Sequence, residues 1–350
     1  MKLLSTHSNK VKSFWLTNLV YVKDADTELI QQIAEDDQVE SITEEQIAHL
    51  IEPVDMKNVE ALADEHQWGV VKIQAPEAWQ ELGTLSGEGV IIATVDTGVR
   101  GTHEALKDNF VGEYGWFDPS TSTPEPTDNN GHGTHTTGTI AGGKGIGVAP
   151  GAKWAACRGC ASSACWQSDL LACGDFFACP LVLMDPAQTA AKPQMSSPTP
   201  GEVVEETPGT MKSLRVGMQL KSSTFSNGNS GPSCNTATLL LTKMSLLVSA
   251  PGSNVISAYH TSDTAYVSLS GTSMACPHAA GAIALLQVRD KNLSYVKAKE
   301  FLLGQADKNL VSTGRTCEGI PDNEFPNHVF GTGRINALKS VRAQTLAMQG

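Results

Sequence analysis

The pattern of apolar and polar positions along the chain changes character near residue 68. Before that point, the β-branched and aromatic stretch 14–23 predicts a strand, and Asp26 precedes a predicted helix whose apolar side chains share one face. Residues 1–52 are therefore predicted to form a small α+β unit. The polar stretch 53–67 is predicted to be a linker.

After residue 68, longer apolar runs predict an α/β fold. The continuous run 90–95 is typical of a parallel strand buried on both faces, and it ends at Asp96. A stretch of small residues after His132 predicts a helix packed closely on a sheet, and a second apolar helix is predicted to begin near Ser273. Residues 68–350 are therefore predicted to form one large domain.

The segment 181–222 interrupts this pattern. It holds five prolines and shows neither the 3.6-residue period of a helix nor the alternation of a strand. A stretch of this length without periodicity is unusual inside a compact α/β domain, so we classify it as aberrant.

Composition excludes several classes of function. The 350 residues carry 25 basic and 37 acidic side chains, a net charge of −12, and this acidity disfavours a nucleic-acid groove or an anionic membrane surface as partner. No run of about 18 apolar residues is present, so no membrane span is predicted.

The eight cysteines point to an oxidising compartment. Five of them fall between Cys157 and Cys179, which favours disulfides in an extracellular protein. The first residues do not form a signal peptide, and we expect the N-terminus to be incomplete. Cys157 and Cys160 also have the spacing of a zinc knuckle, which leaves a cysteine-rich metal-binding protein as an alternative, although no further ligands follow at matching spacing.

Three residues together suggest nucleophilic acyl transfer. Asp96 follows a predicted buried strand, His132 lies between two glycines, and Ser273 lies at a helix start, where unpaired N–H groups favour negative charge. Serine needs a histidine to take its proton, and the histidine needs a carboxylate to hold its tautomer. Each residue alone has a structural explanation as a turn, packing or capping residue.

The motifs around these residues resemble those of the subtilisin-like serine proteases, the subtilases. The matching stretches are Asp96-Thr97-Gly98, Gly131-His132-Gly133-Thr134-His135 and Gly271-Thr272-Ser273-Met274-Ala275, with further likeness at 68–79, 147–154, 227–232 and 248–255. The resemblance covers most of 68–180 and 226–342. It implies a three-layer sandwich with a mostly parallel central sheet, and a serine endopeptidase acting as a monomer on protein or peptide substrates.

The resemblance also implies a role for each residue of the site. Asp96 would orient the base, His132 would be the general base, Ser273 the nucleophile, and Asn229 an oxyanion-hole donor. Residues 14–52 resemble part of an inhibitory propeptide, so the chain's own propeptide is an expected partner, and processing is expected within 53–67. The family often binds calcium, but no compact loop of ligands identifies a site here.

Other polar residues near these motifs are assigned structural roles. His135 and His278 are expected to pack in the interior, and Cys276 to be a buried thiol. We expect Asp118, Asp128 and Asn129 to be solvated turn residues.

One departure from the family leaves a second interpretation open. Subtilases carry a buried strand that pairs with extended substrate, and here that strand would fall within 181–222, which contains no such element. We hypothesise a shifted reading frame or altered exon joining across this segment. The alternative function is therefore a catalytically inactive or misfolded subtilase homologue.

Overall fold

The computed structural model describes residues 10–60, 62, 65–178 and 248–349. Two subjects of the sequence analysis, the segment 181–222 and Asn229, lie outside the described residues. Within the described ranges, no helix combines the length and the apolar character needed to cross a membrane.

The N-terminal unit begins with a hairpin. β1 (Val11–Phe14) pairs antiparallel with β2 (Leu19–Val22), and the intervening turn places Asn18 at a φ of 50°, which asparagine tolerates. The prediction of one strand over 14–23 is therefore wrong, because β-rich composition does not show where a chain reverses. The predicted helix is confirmed as α1 (Thr27–Ala34), with the Asp26 carboxylate accepting a hydrogen bond from the Leu29 N–H at 2.8 Å.

The next two strands pair with distant parts of the chain. β3 (Ile47–His49) runs antiparallel to β8 (Ala164–Trp166), and β4 (Val54–Val59) runs antiparallel to β10 (Tyr266–Ser270). Much of the stretch predicted as a linker is thus a strand. Nearly all of β4 is exposed, which explains why its sequence lacks the apolar pattern of a buried strand.

A parallel sheet lies behind the site. Its strands are, in order, β5 (Ile91–Asp96), β7 (Lys153–Arg158) and β6 (Trp116–Phe117). The predicted strand over 90–95 is confirmed, but burial on both faces is wrong, since Ile91 and Val95 are 45% and 36% exposed. The opposite face of β5 carries Thr94, which is buried and whose hydroxyl forms a hydrogen bond with the hydroxyl of Thr137.

Helices surround these strands and supply most of the apolar core. Their bounds are α2 (Trp68–Lys72), α3 (Ala75–Glu81), α4 (His132–Ala141), α5 (Gln167–Ala178), α6 (Thr272–Arg289), α7 (Tyr295–Gly304) and α8 (Ala337–Gln349). The remaining strands are β9 (Val255–Ala258), β11 (Thr316–Cys317) and β12 (Ile320–Pro321). α4 packs against α6, and both are rich in small residues that let helices approach closely. The fold is therefore mixed α/β with a parallel sheet, and the α4–α6 contact brings two of the predicted site residues together.

Candidate active site

The carboxylate of Asp96 lies at the C-terminal end of β5. Parallel sheets place functional groups at this end of their strands. The turn that follows requires Gly98, whose φ is +104° and whose Cβ, if it had one, would overlap the carbonyl oxygen of Thr127. The chain can therefore leave the sheet sharply and keep the Asp96 side chain at its edge.

His132 is the first residue of α4 and faces Asp96. Its Nδ1 lies 2.7 Å and 2.9 Å from the two carboxylate oxygens of Asp96, and only 6% of its side chain is exposed. A carboxylate only accepts hydrogen bonds, so Nδ1 carries a proton, and in the neutral ring Nε2 is left with its lone pair. Gly133 lets the two elements meet, because a Cβ there would overlap the carbonyl oxygen of Gly98.

Asp128 holds the loop that leads into His132. One of its oxygens accepts the N–H groups of Asn130 and Gly131 at 2.9 Å and 2.8 Å, and the other accepts the N–H and hydroxyl of Thr134 at 2.9 Å and 2.6 Å. The hydroxyl of Thr97, next to Asp96, also donates to Asp128, at 3.0 Å. One buried carboxylate at the N-terminus of α4 thus ties His132's helix to the turn after β5.

Burial and pairing act in opposite directions on the Asp96–His132 pair. Burial alone would raise the pKa of Asp96, but His132 and hydrogen bonds from the Thr97 N–H and Thr136 hydroxyl hold that pKa below its ordinary value. Burial would lower the pKa of His132, but the Asp96 carboxylate raises it above the ordinary histidine value. The pair therefore stabilises a protonated imidazole, which is what a general base becomes after taking a proton.

Ser273 lies in the first turn of α6 and lines the same cleft as Asp96 and His132. Within the described part of the chain, the Nε2 atom of His132 is buried and has no hydrogen-bond partner. Buried polar atoms are usually paired, so an unpaired ring nitrogen in a cleft that also contains a serine side chain is a group available for chemistry. The three residues that the sequence singled out are thus brought to one cleft.

The start of α6 offers donors for a negative charge. The N–H groups of Met274 and Ala275 donate to the carbonyl of Gly271, while Ser273 comes earlier in the first turn, where helical N–H groups have no partner within the helix. The helix dipole adds to this positive potential. The other predicted donor, Asn229, lies outside the described residues.

A segment of the chain itself runs along this cleft. His49, Leu50 and Ile51 line the part that contains Ser273, and Glu52 and Pro53 line the part beyond His132. The segment continues directly from β3, which pairs with β8 at the wall of the cleft. The segment is thus paired with a strand at one end and lines the cleft that contains Ser273 and His132, which is the position that a bound peptide would take.

Other predicted structural residues lie in the interior. Nε2 of His135 donates to the carbonyl of Val255 at 3.0 Å, and Nδ1 of His278 donates to the carbonyl of Met274 at 2.9 Å. Both rings are buried, which lowers their pKa values to about 3 and about 4. Cys276 remains a thiol but is half-buried rather than buried, because its position on α6 faces partly outward.

Two aspartates near the site correct the sequence analysis. Asp118 and Asp128 were expected to be solvated, but they are only 3% and 6% exposed, whereas Asn129 is exposed as expected. Asp118 accepts hydrogen bonds from the Thr121 and Thr123 hydroxyls and from buried Arg158. Burial would raise its pKa, but the hydrogen bonds from Thr121 and Thr123 outweigh burial and lower it. The threonines that follow each aspartate were the available signal, since hydroxyl groups can satisfy a buried carboxylate.

The cysteine pattern resolves into disulfides. Cys157 bonds to Cys173, and Cys160 bonds to Cys165, so the zinc interpretation of the first pair is wrong: both sulfurs are already committed to partners. Among the described residues, no group of three or more histidine, cysteine or acidic side chains has the arrangement of a metal site.

Comparison with known proteins adds independent evidence. The model of the "Subtilase family" matches residues 87–175 and 201–333, which is more than half of the chain. The match breaks between residues 175 and 201, overlapping the start of the segment 181–222.

Individual relatives agree with this match. Thermitase of Thermoactinomyces vulgaris is 32% identical over 79% of this chain and 96% of its own length, and subtilisin BL of Lederbergia lenta is 31% identical over 79% and 98%. Bacillopeptidase F of Bacillus subtilis (strain 168) is 27% identical over 99% of this chain, which spans only 27% of that longer protein.

Proposed function

Because the chain belongs to the subtilase family, we propose that it is a serine endopeptidase that cleaves peptide bonds through Asp96, His132 and Ser273. The observation that carries this proposal is the unpaired Nε2 of buried His132, in a cleft that also holds Ser273. The Asp96 carboxylate lies 2.7 Å from the opposite ring nitrogen, so in the neutral ring the lone pair is on Nε2.

The first half-reaction forms an acyl-enzyme. Ser273 Oγ attacks the carbonyl carbon of the substrate while Nε2 of His132 takes the hydroxyl proton. The carbonyl oxygen becomes an oxyanion, which the N–H of Ser273 and the side-chain amide of Asn229 would stabilise, each such donor contributing on the order of a hundredfold in rate. The tetrahedral intermediate then expels the amine, which takes the proton from Nε2.

The second half-reaction restores the serine. A water molecule gives one proton to Nε2 and attacks the acyl carbon, and the second tetrahedral intermediate releases the carboxylic acid while Ser273 Oγ regains the proton. Asp96 stays ionised throughout, since its low pKa matches a carboxylate that stabilises the imidazolium without taking its proton.

The position of residues 46–53 supports an inhibitory N-terminal segment. In this proposal, residues 1–52 are a propeptide remnant, and residues 68–350 form the catalytic domain, a three-layer sandwich with a mostly parallel sheet. Residues up to Ile51 line the side of the cleft that contains Ser273, and Glu52 lines the other side. Processing is then proposed within the stretch 53–67, directly after this remnant.

A second candidate function rests on a different observation. The family match is interrupted between residues 175 and 201, close to where subtilases carry a substrate-pairing strand. An inactive homologue would keep the cleft and the segment 46–53 that lies in it, called the resident segment below. It would neither process itself nor react with inhibitors.

The disulfides support the proposed extracellular location. Cys157–Cys173 and Cys160–Cys165 fit a protein that folds in an oxidising, extracellular compartment. The proposed partners are protein or peptide substrates and the N-terminal segment itself, with the chain acting as a monomer.

A fluorophosphonate probe tests the two candidates directly. The purified chain should be processed within 53–67 and become labelled, and Ser273→Ala should lose both properties, while the exposed-loop control Ser262→Ala keeps both. A chain with a cooperative unfolding transition that stays full length and unlabelled would establish the inactive alternative.

A further inference from the structure

A small disulfide-closed loop forms one wall of the cleft. Cys160 and Cys165, which are bonded to each other, line the cleft together with Asp96, His132 and Ser273. Both cysteines are almost fully buried, at 4% and 6% exposure. The disulfide thus forms part of the wall of the cleft, and it joins two residues only five positions apart rather than two distant elements.

The two ends of this loop have different contacts. The N–H of Cys160 donates to the backbone carbonyl of Asp96 at 3.1 Å, which fixes this end to the C-terminus of β5. Cys165 is the central residue of β8, directly opposite Ala48 of β3. The loop therefore connects the strand that carries the site carboxylate to the strand that holds the resident segment.

Backbone pairing with this loop holds part of the resident segment, and further hydrogen bonds join Glu45 and Gln46 to the residues that follow the loop. Residues 47–49 pair with residues 164–166, and the N–H of Leu50 donates to the carbonyl of Ser163 at 2.7 Å. Backbone pairing does not depend on side-chain identity, so any extended peptide could replace the segment in the same register. The loop from Cys160 to Cys165 is thus a peptide-binding edge.

This edge needs external support to remain extended. β8 has three residues, and among the described strands it pairs with β3 alone. When the resident segment leaves, such a short strand has no partner left among the described strands, and isolated pairs of this size are marginal in water. A crosslink between the two ends of the loop reduces the number of conformations that the unbound loop can adopt. Less conformational entropy is then lost each time a peptide binds.

We infer that Cys160 and Cys165 are positioning residues for extended peptides: their disulfide keeps β8 ready to pair with a substrate backbone. The inference rests on the proposed peptidase function and extends it: substrates long enough to pair with β8 should bind more tightly than short ones. Losing the disulfide should weaken peptide pairing by about tenfold, the equivalent of one or two backbone hydrogen bonds, with little effect on the chemical step.

Amide hydrogen exchange in the full chain tests the pairing without requiring activity. In a Ser273→Ala background, Cys160→Ala/Cys165→Ala should speed exchange of the amides in 47–50 about tenfold. The β1–β2 hairpin is the internal control, because it is held elsewhere, by the Asp175 carboxylate on α5, and its exchange should not change. Unchanged protection of 47–50 would overturn the inference.

A second preparation tests the inference without the double variant, in case that variant does not fold. The Ser273→Ala chain with all cysteines intact is treated with graded dithiothreitol and blocked with iodoacetamide. Mass spectrometry identifies chains in which Cys160 and Cys165 are the only disulfide-bonded cysteines that have been alkylated. These chains should show the same faster exchange in 47–50. Retained protection in them would equally overturn the inference.

Kinetics separate this inference from the proposed function. For the processed enzyme, the double variant should raise KM for a hexapeptide substrate about tenfold and leave kcat unchanged, while a dipeptide substrate is cleaved equally by both enzymes. An equal loss for both substrates would mean that the disulfide is merely structural. Absence of fluorophosphonate labelling would overturn the peptidase proposal alone, because the exchange result does not depend on it.

Discussion

At the scale of single residues, Asp128 shows how one buried carboxylate can position a site that it does not touch. It accepts four hydrogen bonds from the loop and first turn that carry His132, and one from Thr97 beside Asp96. Asp128→Asn keeps the shape but turns an acceptor into a donor that faces other donors. We expect a loss of about 2 kcal/mol in the free energy of unfolding, together with slower fluorophosphonate labelling.

Urea unfolding and labelling rates measure the two effects separately. Asn129→Ala is the matched control, since this neighbouring side chain is exposed and its loss should change neither quantity. If Asp128→Asn is destabilised but labelled at the normal rate, Asp128 supports the fold without positioning His132.

The pair formed by Asp96 and His132 predicts a pH dependence of reactivity. His132 must be neutral to take the serine proton, and the Asp96 carboxylate raises its pKa above the ordinary value of 6.5. The labelling rate should therefore rise with pH through a midpoint above 6.5. Asp96→Asn should lower the rate on the order of ten-thousandfold and move any residual midpoint downward. A midpoint that does not move would show that another group controls the profile.

At the scale of elements, the disulfide Cys157–Cys173 joins β7 to α5 behind the cleft. Both sulfurs are fully buried, and the crosslink spans 16 residues. For a loop of this size, removing the crosslink should cost about 3 kcal/mol in the free energy of unfolding, because the unfolded chain gains freedom. Denaturant unfolding of Cys157→Ala/Cys173→Ala measures this cost. A midpoint equal to that of the parent chain would mean that packing alone holds α5.

The same elements show what the sequence could and could not predict. The strand ending at Asp96 and the helices beginning near His132 and Ser273 were predictable, because apolar runs and glycine turns are local signals. The pairing of β3 with β8 was not, since it depends on contacts between residues more than 100 positions apart. The burial of Asp128 was predictable only in part: Thr134 lies nearby in the sequence, but its other hydroxyl partner, Thr97, comes from another turn.

At the scale of the whole molecule, buried neutral histidines should make the fold sensitive to acid. Burial lowers the pKa of His135 to about 3 and that of His278 to about 4, well below the ordinary value near 6.5. At pH values between the folded and the unfolded pKa, each histidine is protonated in the unfolded chain but neutral in the folded chain. The free energy of unfolding is therefore full above pH 6.5 and decreases as the pH falls. Each histidine contributes up to about 1.4 kcal/mol per pH unit. His132 acts in the opposite direction, because its folded pKa is raised.

Urea unfolding of the Ser273→Ala chain, which removes self-digestion, measures this slope between pH 7 and pH 5. The pKa of buried His103 is lowered as well, so three histidines opposed by one leave a net loss of about 2 kcal/mol or more over this range. His278→Asn can still donate a hydrogen bond to the Met274 carbonyl but does not titrate, so it should reduce the slope by up to about 1.4 kcal/mol per pH unit. The same slope in both chains would show that His278 is not what makes the fold sensitive to acid, and that the loss arises elsewhere in the molecule.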